Sequence, residues 1–198
     1  MAEELNKLLY ATVIPSFSSK TDFQEGLCSF ERNYGFPFGI KIEEKGVRDM
    51  EVRPCFRDAG ISRSKNHIEI VSPACLEGAL IACNPGFFGN DRDALCGACY
   101  HEIVHIEELV KVAAELNERV YQIDLWQTDN SAWNPHVSHS LAFEWFKDKT
   151  RERDVDLRVI ELGFGHYLLA CRKLIESRVG INNNYLSSSE IEKKIKMV

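Results

Sequence analysis

The sequence predicts an α+β fold in which a small mixed sheet precedes a long central helix and a helical C-terminal lobe. Three observations support this: strand-like segments between residues 38 and 72, a strong helical pattern over 95–120, and cap-and-proline signals beyond it. With 198 residues and 44% hydrophobic side chains, the chain has the length and composition of a folded domain. We therefore expect a single domain over 1–198, with the sheet and central helix in 1–122 and the helical lobe in 123–198.

Charge and hydrophobicity exclude two classes of partner. The chain carries 24 basic and 30 acidic side chains, a net charge of -6, whereas nucleic-acid binding needs a basic face. No window holds the ~20 consecutive apolar residues that a membrane-spanning helix requires.

Two features indicate the compartment. The N-terminus has acids where an export signal has positive charge, and the odd number of cysteines, seven, indicates free thiols in a reducing compartment. We therefore expect a cytoplasmic protein without nucleic-acid or membrane partners.

The first elements of the chain are a helix and two strands. Thr21-Asp22-Phe23-Gln24 has the pattern of a capping box, which predicts a helix that ends near Gly35. Residues 38–44 and 47–56 are predicted as two strands, joined by a turn at Lys45-Gly46.

The next segment alternates apolar and polar residues. In residues 66–72, Ile68 and Ile70 lie on one face, which predicts a half-buried strand, short enough to form a sheet edge. Ser72-Pro73 then has the pattern of an N-cap followed by proline at the first helical position. We therefore expect a helix from this point, which Asn84-Pro85-Gly86 ends.

The strongest helical pattern begins after Asn90 or Asp91, either of which can cap the helix. Its apolar residues recur at helical spacing; they are Leu95, Ala98, Ile106, Leu109, Val110, Ala113, Leu116 and Val120. Residues 124–134 are predicted to form a polar loop that contains two tryptophans.

The C-terminal lobe consists of three predicted helices. Asn134-Pro135 begins the first, which ends near Lys149. Residues 157–178 form the second, and Gly180 stops it. Ser187-x-x-Glu190 is a capping box that opens a short basic helix, whose lysines are expected to face solvent.

One motif on the central helix carries chemistry, namely His101-Glu102-Ile103-Val104-His105. At 3.6 residues per turn, the two histidines lie one above the other on one face, where they can bind one Zn²⁺ at about 2.0–2.1 Å. Glu102 is rotated by about 100° around the helix, so that it can reach zinc-bound water without ligating the metal. Zinc lowers the pKa of that water towards ~7, and Glu102 then acts as the general base.

This H-E-x-x-H pattern resembles the active-site helix of the zincin metallopeptidases. The predicted order, a mixed sheet before the helix and a helical lobe after it, is similar too. The resemblance implies a zincin-like fold and a zinc-dependent hydrolase that cleaves peptide bonds, an endopeptidase rather than an exopeptidase. In that superfamily the edge strand pairs with extended substrate, which makes residues 66–72 the candidate strand by position.

A catalytic zinc site needs a third protein ligand and one open position for water. Glu144-Trp145-Phe146-Lys147-Asp148 has the E-x-x-x-D spacing of the gluzincins, the thermolysin-like branch. By this resemblance Glu144 is the third ligand, and Asp148 orients a ligating histidine. The alternatives for the third ligand are His139 and His136, followed by Asp124 and Asp129.

Zincins often add a tyrosine or histidine that donates a hydrogen bond to the oxyanion of the transition state. His166 and Tyr167 are the candidates, because Gly163 and Gly165 beside them can let the backbone approach the site. Tyr121 is a further candidate. The alternative for His166 and Tyr167 is an aromatic pair in the core.

Two other classes of function remain open. Cys96-Gly97-Ala98-Cys99 precedes the motif, and a thiol near a helix N-terminus has a lowered pKa, which is typical of a thiol redox protein. A closed zinc site formed by Cys96, Cys99, His101 and His105 would require the helix to begin only after Cys99. The second class is a zincin-like regulatory or interaction module without hydrolysis. Among peptidases, housekeeping enzymes, regulators and effector proteases delivered into a host cytosol all fit this sequence.

Overall fold

The computed structural model describes residues 38–42, 49–65, 67–130 and 132–197, and gives the backbone alone for residues 38–42. Within these residues the chain is a mixed α+β structure with two small sheets and seven helices. None of these helices is both long and apolar enough to cross a membrane. The helix predicted over 21–35 and the turn predicted at 45–46 lie outside the described residues.

Two sheets contain the five described strands. The strands are β1 (Phe38–Ile42), β2 (Met50–Arg57), β3 (Gly60–Ser64), β4 (His67–Ser72) and β5 (Cys75–Cys83). In the first sheet, β5 lies in the centre, parallel to β1 and antiparallel to β2. The antiparallel pair β3 and β4 forms the second sheet. β5 therefore separates β1 from β2, and among the described residues β2 is an edge strand because no second strand there pairs with it.

The prediction of a helix between Pro73 and Asn84 is wrong, because β5 occupies this segment. A short apolar run is compatible with either a buried helix or a buried strand, and periodicity cannot distinguish the two. Pairing with neighbouring strands on both sides decides the outcome here. In contrast, the half-buried strand predicted over 66–72 is confirmed as β4, in which Ile68 and Ile70 are half-buried and their neighbours are exposed.

Seven helices follow β5 among the described residues. They are α1 (Pro85–Phe88), α2 (Arg92–Lys111), α3 (Ala113–Asp129), α4 (Pro135–Lys149), α5 (Glu152–Glu161), α6 (Gly165–Val179) and α7 (Ser188–Ile195). The predicted start signals are confirmed: the side chains of Asp91 and Asn134 cap α2 and α4, and the Ser187–Glu190 capping box opens α7. Gly180, with φ of 97°, ends α6 as predicted.

Two predicted helices are each divided into two in the structure. The central helix is divided at Val112 into α2 and α3, and α3 extends to Asp129, through most of the segment predicted as a polar loop. The helix predicted over 157–178 is divided into α5 and α6, and Gly163 adopts a positive φ of 86° between them. The expected lobe boundary at 122/123 falls inside α3.

Helix α2 positions the site, because it is buried on nearly all sides and packs against β2, α5 and α6. Its close contact with α6 depends on Gly97, where a Cβ atom would lie 2.1 Å from the carbonyl oxygen of Tyr167. One turn further, Tyr100 stacks on Phe164 with a centroid separation of 4.1 Å. The histidines of the motif therefore lie in the interior, between elements that are distant in sequence.

Candidate metal centre

The two histidines of the motif lie on successive turns of α2, with their Nε2 atoms 3.1 Å apart. Only 7% of His101 and 8% of His105 is exposed. Both rings therefore present a nitrogen to the same point on the buried face of the helix, as the i, i+4 spacing predicts.

Glu152, the first residue of α5, supplies a third donor atom. Its Oε2 lies 3.0 Å from Nε2 of His101 and 3.0 Å from Nε2 of His105. Among the described residues, these three form the one group of three or more His, Cys, Asp or Glu donor atoms within 4.8 Å of one another. Donor atoms around a tetrahedral zinc ion are about 3.3 Å apart, so this triangle needs only a slight expansion to hold one.

The chemistry of the donor set also fits zinc. Two histidine nitrogens and one carboxylate oxygen are a ligand combination of catalytic zinc sites, which keep the fourth position for water. Burial lowers the pKa of His101, but hydrogen bonds with Asp156 and Glu152 outweigh this effect and raise it to about 10. The surrounding carboxylates therefore favour positive charge at this point, which a proton on His101 or a divalent ion can supply.

Asp156 orients His101 from the side opposite the proposed metal position. It lies one turn after Glu152 on α5, is fully buried, and accepts a hydrogen bond from Nδ1 of His101 at 3.0 Å. Its oxygens also accept bonds from Nη2 of Arg172 at 3.1 Å and from the amide of Leu186 at 2.8 Å. A histidine held through Nδ1 presents Nε2 to a metal in a fixed orientation.

Glu102 lies beside the candidate ligands and is 8% exposed. Its Oε2 accepts a hydrogen bond from the amide of Val52, on edge strand β2, at 2.8 Å. Burial raises the pKa of its carboxyl group. The carboxylate is thus fixed between the motif helix and the sheet edge.

An open cleft of about 980 Å³ contains the site. Its lining includes Glu102 and all three candidate ligands, together with the first residues of β2, the junction of α4 and α5, and the segment between α6 and α7. Tyr185, on that last segment, places its ring centroid 5.8 Å from that of His101. Burial and the nearby Glu152 raise the pKa of its phenol, so that the hydroxyl keeps its proton.

The structure does not bring Glu144, the predicted third ligand, to the histidine pair. Its side chain is 64% exposed on α4 and pairs with Lys147 at 3.7 Å. The physical reason is that α4 packs mainly on α3, whereas α5 packs on α2. The two alternatives are elsewhere too: His136 is exposed at the start of α4, and His139 stacks on Phe56 with centroids 4.8 Å apart.

Five further sequence candidates do not line the cleft; they are Asp124, Asp129, Tyr121, His166 and Tyr167. Asp124 is buried and accepts a hydrogen bond from Nε1 of Trp133 at 3.0 Å. Tyr167 packs against Tyr100, with centroids 5.4 Å apart, and His166 is exposed beside it. The alternative of a core aromatic therefore holds for Tyr167.

Glu152, Asp156 and Tyr185 are site residues that the sequence did not predict. For the first two a signal exists, because Glu152-Arg153-Asp154-Val155-Asp156 has the same E-x-x-x-D spacing as the segment from Glu144 to Asp148. The spacing alone gives no reason to prefer one copy. Tyr185 has no comparable signal, since it lies outside the regular elements.

The surroundings of the two cysteines before the motif favour a structural role over a reactive one. Cys96 and Cys99 are both buried on α2, and burial raises the pKa of each thiol. A raised pKa disfavours the reactive thiolate. A closed site of two cysteines and two histidines would require the helix to begin only after Cys99. The helix α2 begins at Arg92 instead, so this site does not form.

Comparisons with known proteins identify no relative. The chain matches no protein-family model, no curated protein and no solved structure.

Proposed function

We propose that this protein is a zinc-dependent peptidase of the zincin type. The observation that carries the proposal is the convergence of donor atoms from His101, His105 and Glu152 at 3.0–3.1 Å. These atoms border an open cleft, and the buried carboxylate of Glu102 borders it as well. A ligand set and an adjacent acid are the two parts that hydrolysis by this mechanism requires.

Each residue has a distinct part in the proposed reaction. When bound, Zn²⁺ would polarise the scissile carbonyl and lower the pKa of water to about 7. His101, His105 and Glu152 would hold the ion, while Asp156 keeps His101 in its orientation. Glu102 takes the proton of the attacking water and delivers it to the leaving amine. Its raised pKa favours both steps near neutral pH.

Tyr185 replaces His166 and Tyr167 as the candidate donor to the developing oxyanion. It lines the cleft beside the ligands, and its raised phenol pKa preserves the proton that it would donate. The guanidinium of Arg172, whose Cζ lies 4.2 Å from the ring centroid, packs against the aromatic ring and restrains it.

An extended polypeptide is the substrate that fits this cleft best. Residues 50–52 of the edge strand β2 line it, so a substrate strand can be placed beside them. β4, the strand expected in this role, belongs to the other sheet and does not line the cleft. We therefore assign substrate pairing to β2, and a chain that continues along β2 past the metal favours endopeptidase activity.

Neither alternative function is supported as well. A non-hydrolytic zincin-like module is expected to have a shallow or blocked cleft, whereas this one is open and about 980 Å³ in volume. Redox chemistry at Cys96 and Cys99 needs an accessible thiolate, and both thiols are buried.

The test combines metal content with hydrolysis. Purified protein is analysed for bound metal by mass spectrometry and assayed on quenched fluorescent peptides, beside the Glu102→Gln and Glu108→Gln variants. We expect one zinc per chain in all three proteins and hydrolysis that is lost only in Glu102→Gln, because Glu108 lies on the same helix but pairs with Lys111 away from the cleft. Absence of bound zinc, or full activity of Glu102→Gln, contradicts the proposal.

A further inference from the structure

A second cavity, of about 40 Å³, adjoins the cleft, and we call it the inner chamber. The two cavities share part of their lining, namely Asp49, Met50, His101, Glu102 and Tyr185. The remaining wall of the inner chamber comes from α2 and α6; it consists of Ala98, Leu168, Cys171, Arg172 and Ile175. The inner chamber therefore lies next to the proposed reaction centre rather than elsewhere in the core.

Arg172 in this wall has hydrogen-bond donors that the described residues do not satisfy. It is only 6% exposed, and its hydrogen bonds with described residues all come from Nη2, which contacts both oxygens of Asp156 at 3.1 Å. Its Nε has no partner in the described part of the chain either, but this atom is enclosed too tightly to contact a group in the inner chamber. Nη1 has no hydrogen bond with a described residue and is not enclosed. Because buried donors are normally paired and Arg172 lines the inner chamber, Nη1 is the donor that an oxygen acceptor there can satisfy.

Volume and charge restrict what that acceptor can be. A water molecule needs roughly 10–15 Å³ of such space, so the inner chamber accommodates about three water-sized groups. A serine or threonine side chain fits, whereas a leucine or phenylalanine side chain exceeds the volume. Because Asp156 already balances the charge of Arg172, a neutral hydroxyl suits the inner chamber better than a carboxylate.

We propose that the inner chamber is a specificity subsite that binds a serine or threonine side chain of the substrate, next to the scissile bond. The proposal rests on the proposed function, because it requires a peptide in the cleft. The substrate hydroxyl accepts a hydrogen bond from Arg172, and the apolar side chains of Leu168 and Ile175 contact the carbon atoms of the same side chain. Selection thus depends on one charged donor and on limited volume.

Substrate preference tests the proposal directly. The zinc-loaded full chain is assayed on fluorescent peptides that differ at single positions on either side of the scissile bond and carry Ser, Thr, Ala, Val or Leu there. At one position we expect kcat/KM for Ser over Ala, and for Thr over Val, to be higher by about tenfold or more, because a hydrogen bond to a charged group distinguishes these pairs. Leu at that position is expected to give the lowest value.

Two variants separate the roles of donor and volume. Arg172→Lys keeps a positive charge near Asp156 but loses the guanidinium donors, so we expect the Ser to Ala ratio to fall to about one while Leu stays excluded. Ile175→Ala enlarges the inner chamber, so we expect kcat/KM for the Leu peptide to rise at least tenfold. Circular dichroism and thermal unfolding identify variants that fail to fold, in which case the other variant supplies the test.

A binding measurement separates this proposal from the proposed function. Fluorescence anisotropy gives the affinity of zinc-loaded Glu102→Gln for the same peptides. Binding with a Ser preference, without hydrolysis by the wild type, contradicts the peptidase and supports the subsite. Hydrolysis without any preference for Ser over Ala contradicts the subsite and leaves the peptidase intact. If no peptide is bound or cleaved, both proposals are wrong. A crystal structure of a peptide complex gives a further test, because an ordered water that stays in the inner chamber would overturn the subsite.

Discussion

The carboxylate of Asp156 lies 3.0 Å from Nδ1 of His101 and accepts its hydrogen bond. The same carboxylate accepts the amide of Leu186 at 2.8 Å. One buried acid on α5 thus holds a histidine of α2 together with the segment that carries Tyr185. The geometry of the candidate site therefore depends on how α5 packs, and not only on the motif helix.

Substituting Glu152, the proposed third ligand, is expected to weaken metal binding strongly. Glu152→Gln replaces a charged oxygen ligand with a neutral amide, so we expect the Kd for zinc to rise. The rise should exceed the 10–100-fold that is typical when a residue that hydrogen-bonds to a ligand is substituted. Glu144→Gln is the matched control, because Glu144 has the same E-x-x-x-D spacing but is exposed on α4. Competition with a zinc-binding dye measures the Kd for zinc of both variants. A larger loss of zinc affinity in Glu144→Gln than in Glu152→Gln would contradict the assignment of Glu152 as the third ligand.

Substituting Asp156 is expected to weaken both metal binding and folding. Asp156→Asn loses the charge that orients His101, so we expect zinc affinity to fall by about 10–100-fold. It also leaves the buried charge of Arg172 without a compensating carboxylate, which we expect to lower the free energy of unfolding by about 3–5 kcal/mol. Asp154→Asn, at an exposed position of the same helix, should change neither quantity. Urea unfolding and zinc titration provide the two measurements, and an unchanged zinc affinity in Asp156→Asn argues against the orienting role.

The hydroxyl of Tyr185 is expected to act in the transition state. In Tyr185→Phe we expect kcat to fall by about a hundredfold with little change in KM or zinc affinity, because the lost hydrogen bond forms only as negative charge develops. Tyr167→Phe removes the hydroxyl of the donor that the sequence predicted, which packs away from the cleft, and should retain full kcat. Steady-state kinetics on one peptide compare the two. Equal rates for Tyr185→Phe and the wild type would exclude the donor role.

The capping box of α7 is expected to make stability depend on pH. Arg153 and Ser187 bond to Glu190 and lower the pKa of its carboxyl group from 4.5 to about 2. Because the folded state favours the carboxylate, its contribution is complete above pH 4.5 and is lost as pH falls through about 2.

At pH 7 we therefore expect Glu190→Gln to lower the free energy of unfolding, by less than about 1 kcal/mol since the ion pair is partly exposed. This difference from the wild type should disappear as the pH is lowered from ~5 to ~2. Urea unfolding at several pH values measures it. Glu192→Gln, exposed on the same helix, serves as the control, and a difference that persists at low pH contradicts the electrostatic explanation.

Local signals account for the parts of the fold that were predicted correctly. Each helix cap depends only on residues within one turn of the cap itself. This holds for the caps at Asp91, Asn134 and Ser187 and for the stop at Gly180. The prediction of a helix in place of β5 is wrong because the conformation of this segment depends on β1 and β2, which are distant in sequence and pair with it.

The sequence by itself determined the alignment of His101 and His105, with Glu102 beside them, because helical geometry dictates the relative positions of residues one turn apart. Only the tertiary structure decided between Glu152 and Glu144, and only it brought Asp156 and Tyr185 to the histidines. The two E-x-x-x-D segments are equivalent in local spacing. What distinguishes them is that α5 packs on α2 whereas α4 packs mainly on α3, and this choice depends on burial across the whole chain.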